Sequence, residues 1–283
     1  MNLLFSLDPL RRLIATSMLM AATVSSAQPL PDAFPQRTVR LVVPFTAGGT
    51  TDIIARVIAD KLRRRLGQPV VVDNRPGAST MIATEQVAKA PADGYTLLLG
   101  SSTTFSMLPA LRAGLPIAAE SAWAPIGIIA QAPVMLSTRA DSGIKSFADL
   151  LARAKAHPGA ITYGTTGPGT APYIVGAMIA ADLQADITPV SYRGSTQILA
   201  DVVGGRVDLS LDPFAAPRAT PQAVVDRLEK ELQAVLVDPS VEAAFQRQSI
   251  RVMRGNAEDF RQRVQGDITR YRRLAQEGRI KVE

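Results

Sequence analysis

Short apolar runs that end in glycine-rich turns and lead directly into helix-patterned stretches recur along this chain. That alternation confines it to the α/β class. Val39 to Val43 reads as a strand, and Thr51 to Leu66 then carries Ile53, Ile54, Val57, Ile58 and Leu62 at helical spacing up to Gly67. Val70-Val71-Val72 is the next strand, Ile82 to Lys89 the next helix, and Tyr95 to Leu99 the strand after it. A second unit begins near Ile126 to Ile129 and Val134 to Ser137. It continues with helices at Phe147 to Ala156 and Pro172 to Leu183 and a further one reaching Val203, and with strands at Ile161 to Tyr163, Ile187 to Tyr192 and Val207 to Leu211. The C-terminal third is helical: Pro221 opens a helix to Val237, Pro239-Ser240 opens another toward Gln248, and the last runs from Glu258 to Glu277. Strands separated by helices imply parallel sheets covered on both faces. A chain of 283 residues is long enough for about two such domains.

Two of the strand-to-helix turns are rich in glycine and threonine. The first is Val42-Val43-Pro44-Phe45-Thr46-Ala47-Gly48-Gly49-Thr50-Thr51-Asp52, and the second is Ile161-Thr162-Tyr163-Gly164-Thr165-Thr166-Gly167-Pro168-Gly169-Thr170-Ala171. Such a turn directs backbone N–H groups at whatever lies before the helix, where they can hold an anion. In the first, Gly48 and Gly49 let the backbone approach a ligand, Thr50 or Thr51 can cap the helix, and Asp52 complements the dipole but opposes an anion. Tight packing accounts for such a turn equally well. In the second, Thr165, Thr166 and Thr170 offer hydroxyls, and Pro172 suits the first helical turn. Neither the dinucleotide Gly-x-Gly-x-x-Gly order nor a phosphate-loop Lys is present, so small carboxylates fit better than nucleotides. Ser101-Ser102-Thr103-Thr104 forms another polar strand end, where α/β sheets bind ligands, and Ser102 is a candidate there. Tyr192-Arg193-Gly194-Ser195-Thr196 is a third strand-to-helix turn, with Ser195 read as a cap rather than a nucleophile. Asp212, before Pro213, is either a ligand contact or a turn former.

Composition removes several alternatives. There is no cysteine, which excludes disulfides, thiolate metal sites and a Cys nucleophile. The single histidine, His157, lies in a His-Pro-Gly turn where it reads as a solvent-facing residue at a helix C-terminus. A secreted hydrolase would need a base near Ser195 or Ser102, and His157 is the only histidine available, so the expectation is no enzyme, no metal and no cofactor. The net charge of +6 is concentrated in Arg63-Arg64-Arg65 and in the stretch from Arg261 to Arg279, both on helix patterns with a solvated face. Aromatics make up only 5%, too few for the stacking that nucleic-acid binding wants. At the N-terminus, Arg11-Arg12, the apolar run Leu13 to Val24 and Ser25-Ser26-Ala27 form a secretory signal layout too short to span a bilayer, with Sec and twin-arginine export both open.

Taken in order, these segments resemble the tripartite tricarboxylate transporter receptor family, the Bug-type periplasmic solute-binding proteins. The resemblance rests on Val43 to Asp52, on Val71-Val72-Asp73-Asn74-Arg75-Pro76-Gly77-Ala78 and on Val87-Ala88-Lys89-Ala90. It continues in Asp93-Gly94-Tyr95-Thr96-Leu97-Leu98-Leu99-Gly100, Tyr192-Arg193-Gly194-Ser195 and Gly204-Gly205-Arg206-Val207-Asp208. It implies a two-lobed, type II periplasmic-binding-protein-like α/β fold, each lobe a mostly parallel sheet flanked by helices. After a signal peptide at 1–27, lobe one would take 28–125 and 216–283, and lobe two 126–215. The implied ligand is a small carboxylic acid, held by Phe45, Ala47, Gly48 and Thr51 from lobe one and by Gly167, Thr170 and Ser195 from lobe two, with Thr166 and Asp212 beside them. The implied partner is an inner-membrane permease or a sensor, with a monomeric receptor in the periplasm and no role for nucleic acid.

Three departures from the family pattern stand out. Ser79-Thr80-Met81 and Ala83 replace a stretch richer in Gly that carries Asn, and Tyr173 stands where His is frequent. After Asp212-Pro213-Phe214 the chain passes almost directly to Ala216-Pro217-Arg218-Ala219-Thr220-Pro221, the lead-in to the C-terminal helices. Roughly forty residues are missing there, more than one βαβ crossover. The expectation is a diminished second lobe, with a degenerate or repurposed relative as the alternative function.

Overall fold

The computed structural model describes residues 34–117, 121–131, 142–144, 146–192, 197–198, 201, 214–217, 220–247 and 250–280. Pro35–Glu283 forms one compact unit, distinct from Met1–Phe34. In chain order it begins with β1 (Val39–Val43), α1 (Thr50–Leu66), β2 (Val70–Asn74), a 3-10 turn (Ala78–Thr80), α2 (Met81–Ala88) and β3 (Thr96–Leu99). A π-helical turn (Thr103–Met107) then leads into α3 (Leu108–Leu111), followed by β4 (Trp123–Gln131), α4 (Phe147–Ala156), β5 (Ile161–Thr165), α5 (Ala171–Leu183) and β6 (Ile187–Ser191). The chain closes with β7 (Phe214–Pro217), α6 (Gln222–Leu236), α7 (Pro239–Gln246), β8 (Arg251–Gly255) and α8 (Ala257–Gln276).

Lobe one is a six-stranded sheet of order β2-β1-β3-β7-β4-β8. β1 pairs in parallel with β2 and β3, whereas β7 runs antiparallel to both β3 and β4, and β8 antiparallel to β4. Four strands therefore share one direction, as the βαβ alternation predicts, and the two strands from the C-terminal part oppose them. Alternate residues of a strand face opposite layers. Val42 and Leu98 pack with Val87, Phe105, Trp123, Phe260, Val264 and Ile268 on the face covered by α2 and α8. Leu41 and Leu97, also fully buried, point to the other face, where α1 packs against β1, β2 and α6. Three aromatic rings centre the first layer: Phe105 meets Trp123 edge-on at 5.8 Å and Phe260 at 5.3 Å.

Polar ties lock the C-terminal helices to α1. Glu231 of α6 is buried and accepts from Arg65 at 2.5 Å and from Arg227 at 2.9 Å. Lys61 reaches Asp238 at 2.8 Å, and this contact together with bonds from Ser240 holds the Asp238 carboxyl well below the usual range.

Lobe two contributes the parallel pair β5–β6, registered from Ile161 opposite Ile187 to Thr165 opposite Ser191, with α5 packed on both strands. The lobe boundary expected at 125/126 falls within β4, which stays in the large sheet to Gln131. At the return, Phe214 already pairs with Leu99. The run Ile126 to Ile129 therefore belongs to lobe one, because β7 and β8 offer it partners on both edges. The strands expected at 134–137 and 207–211 lie outside the described residues; of the helix expected at 195–203, Gln197, Ile198 and Asp201 are described and are helical, with Ile198 buried. Among the described residues no helix is long and apolar enough to cross a membrane.

Candidate functional site

The carboxyl ends of β1, β2 and β3 lie side by side, since the three strands are parallel neighbours. Each delivers a turn to the same rim of the sheet, the position at which open α/β sheets take their ligands. At the β1 end, Gly48 adopts φ 80°, in the left-handed region that glycine supplies without strain. Its N–H donates to Asp52 Oδ2 at 2.9 Å, and the same oxygen accepts from Arg56 Nε at 2.8 Å. Burial pushes the Asp52 carboxyl up, but the bonds from Arg56, Gly48 and Asn74 outweigh it and leave the group below its ordinary value. Asp52 thus clamps the turn in a neutralised pair instead of confronting an anion. Asn74 Nδ2 donates to the Phe45 carbonyl at 3.0 Å and Arg75 N–H to that of Val43 at 2.8 Å, fixing the β2 end against the turn. Ala47 and Gly48 are exposed, Phe45 and Thr51 buried. The hydroxyls of Thr46 and Thr51 are buried without a hydrogen-bond partner.

At the β2 end, Ala78, Ser79 and Thr80 hold φ of 46°, 51° and 85° in succession. Three L-residues in the left-handed region, the last β-branched, store roughly 1–2 kcal/mol each. Thr80 is 2% exposed, caps α2 with no side-chain bond, and leaves its Oγ1 without a partner. At the β3 end, Ser101 to Thr104 are all buried, and Ser101 Oγ again has no partner. Ser102 is buried beside it.

The second turn faces this rim. Thr165 and Thr170 are fully buried and bond each other at 3.1 Å. The Thr170 hydroxyl donates to the Gly167 carbonyl at 2.7 Å, and Gly167 N–H donates to Thr165 Oγ1 at 3.1 Å. These two hydroxyls therefore build the turn, and Thr166 alone of the three expected threonines keeps a buried hydroxyl without a partner. Gly167 sits at φ 113°, where a Cβ would stand 2.7 Å from Ser79 Oγ across the rim. The N–H of Ala171, first residue of α5, donates to Thr103 Oγ1 at 3.0 Å. Tyr173 is half-buried; its carbonyl accepts from Tyr163 OH at 3.2 Å, and burial pushes the Tyr163 hydroxyl well above its ordinary pKa. His157 is exposed just after α4, as its turn predicts. Ser195 and Asp212 lie outside the described residues.

Side-chain capping sorts the helices. α4, α7 and α8 are capped by Ser146, Asp238 and Asn256, the last with a full capping box. α1, α2 and α5, which all open on the rim, receive no bond from the side chain of their own N-cap residue, although Thr103 caps α5 from outside the helix. α3 and α6 also lack such a bond: α3 continues directly from the π-helical turn, and α6 follows β7, whose reversed direction carries Thr220 and Pro221 to the opposite end of the sheet. Thr46, Thr80, Ser101 and Thr103 emerge as rim residues; the sequence places them in these turns and strand ends without making them ligand candidates. Their signal was available: each is a Ser or Thr within a few residues of a parallel strand's carboxyl end.

A two-lobed α/β body whose uncapped helix starts and unpartnered hydroxyls converge on one rim defines the class of the periplasmic binding proteins. The periplasmic binding protein BugD has this fold: it is 26% identical, with a TM-score of 0.82 over 88% of this chain and 100% of its own. An R. palustris protein solved with adipate superposes with a TM-score of 0.81 at 28% identity, over 86% of this chain and 97% of that one. The model of the tripartite tricarboxylate transporter family receptor matches residues 54–215, and the chain belongs to that family. A UPF0065 protein from the tcbD-tcbE intergenic region of Pseudomonas sp. (strain P51) is 30% identical over 95% of each chain. That alignment spans 321 positions, more than the 283 residues here, so the relative carries residues with no counterpart in this chain. The family match itself ends at residue 215, beside the junction where the sequence reading expects the shortening.

Proposed function

We propose that this protein is a periplasmic receptor that captures a small carboxylic acid between the turns at 44–52 and 164–171 and hands it to a tripartite tricarboxylate-type membrane permease or to a sensor. The reading rests on one observation above all. Buried hydroxyls of Thr46, Thr51, Thr80, Ser101 and Thr166 lack partners on the rim where α1 and α2 start without side-chain caps, whereas Thr220, also unpartnered, lies at the opposite end of the sheet. Buried polar groups are normally satisfied, so a cluster of unsatisfied ones marks where a ligand or its waters complete the network. Neutral donors and helix starts suit a carboxylate held without a salt bridge. The adipate bound by the R. palustris protein supports the ligand class. Export through the N-terminal segment and action as a monomer belong to the same proposal.

Thermal unfolding of the protein recovered from the periplasm, with and without a panel of mono- and dicarboxylic acids, tests it. A ligand at about 100 times its dissociation constant adds roughly 2.7 kcal/mol, an easily resolved shift. One acid class should raise the transition; a sharp transition that no acid moves refutes capture. That second outcome would favour a degenerate relative with impaired binding, the reading supported by the residues this chain lacks beside the 30%-identical relative.

A further inference from the structure

We propose that Thr103 is a positioning residue that holds the second turn against lobe one, so that the empty receptor rests closed. The Thr103 side chain is fully buried and its Oγ1 accepts the Ala171 N–H at 3.0 Å across 68 positions of sequence. Within the first turn of α5, Pro172 has no N–H to offer, so this bond takes the leading backbone donor of that helix. A lobe-one hydroxyl therefore occupies the place that a ligand anion would take at the start of α5. Carboxylate recognition passes to the lobe-one turns and to Thr166.

Two further contacts act in the same place. Ala171 and Ile174 of α5 pack in one apolar cluster with Met107, Leu274 and Ile280, which follow β3 or belong to the C-terminal part. A Cβ on Gly167 would stand 2.7 Å from Ser79 Oγ, so the two turns approach closely there. None of these contacts needs a ligand. The hydrogen bond is the directional element: apolar packing tolerates sliding, whereas a buried N–H left without its acceptor does not. Closure then costs the ligand less, because part of the closed population exists beforehand.

The inference deepens the receptor reading and its affinity arm rests on that reading, but its first arm needs no ligand. Hydrogen exchange is measured at the Ala171 amide in the ligand-free protein purified from the periplasm. Wild type and Thr103→Ser should protect this amide alike, while Thr103→Val, equal in shape but without an acceptor, should exchange at least about tenfold faster there. The Ile174 amide, which donates to the Thr170 carbonyl within the helix, should be unchanged and shows that α5 remains folded. In the second arm, Thr103→Val should weaken binding of the stabilising acid about tenfold and enlarge the radius of gyration of the empty protein, with Thr103→Ser restoring both. An unprotected Ala171 amide in the wild type, or equal protection in Thr103→Val, overturns the latch whatever the ligand panel gives. If Thr103→Val fails to fold, the wild-type amide and the serine variant still decide it.

Discussion

Asp52→Asn isolates the clamp beneath the first turn. Asp52 is 3% exposed, and one of its oxygens holds both the Gly48 N–H and the Arg56 guanidinium. The amide can still accept one bond, but it loses the charge that strengthens both and brings a second donor toward groups that already donate. A hydrogen bond to a charged group contributes about 1.5–3 kcal/mol. Arg56 is 57% exposed, so its share is screened, and we expect a loss of about 2 kcal/mol in all. At a urea slope of about 3 kcal/mol/M this moves the midpoint down by roughly 0.7 M at pH 7. The pH dependence follows from the sign of the shift. The folded carboxyl titrates below its unfolded value of 3.8, so its contribution is fully present above that value and disappears as pH falls through the folded pKa. Urea titrations of wild type and variant at pH 7 and pH 3 should therefore show a gap that narrows in acid. An unchanged midpoint at pH 7, or a gap equally wide at pH 3, would refute the clamp.

Three other outcomes follow from the same geometry. Thr80→Gly removes left-handed strain of about 1–2 kcal/mol against a glycine entropy cost of about 0.5–1 kcal/mol, so calorimetry should show a higher melting temperature while acid binding weakens through the lost hydroxyl. Glu231→Ala leaves Arg65 and Arg227 facing a buried gap between α1 and α6. Chemical denaturation should report a loss of about 2–3 kcal/mol, below the full cost of a broken buried pair because both arginines are partly solvated. Phe105→Ala empties the aromatic centre, at about 3–5 kcal/mol. The emission of Trp123, the one tryptophan of the chain, should shift to the red.

Where local patterning governs, the sequence carried the architecture. β1 spans Val39–Val43 as its apolar run predicts, and α1 ends where Gly67 takes φ 70°. The helices opened by Pro221, Pro239 and the stretch before Glu258 were equally readable from their caps and periodicity. β7 and β8 were not. Phe-Ala-Ala-Pro has no alternation to announce a strand, and it becomes one because β3 and β4 present open edges on either side of it. Arg251–Gly255 reads as polar connection until β4 supplies a partner. At the site, composition pointed to the right turns but not to the division of labour within them. Thr165 and Thr170 look like ligand donors in sequence, yet their side chains face inward and bond each other, a matter of χ1 and turn geometry. Ser101 and Thr80 lie past readable strand ends, but that β1, β2 and β3 bring those ends to one rim depends on pairing that no local window contains.

The position of β7 bears on the order in which this molecule can be built. The strand lies in the interior of the six-stranded sheet, between β3 and β4, yet it belongs to the last third of the chain. Until Phe214–Pro217 has been synthesised, β1 to β3 form a three-stranded fragment whose inner edge is unpaired, and β4 has no neighbour to join it. Lobe one thus matures through contacts between residues far apart in sequence, the slow kind. A nascent chain with its middle strand still to come therefore carries an incomplete sheet until its last quarter has been made.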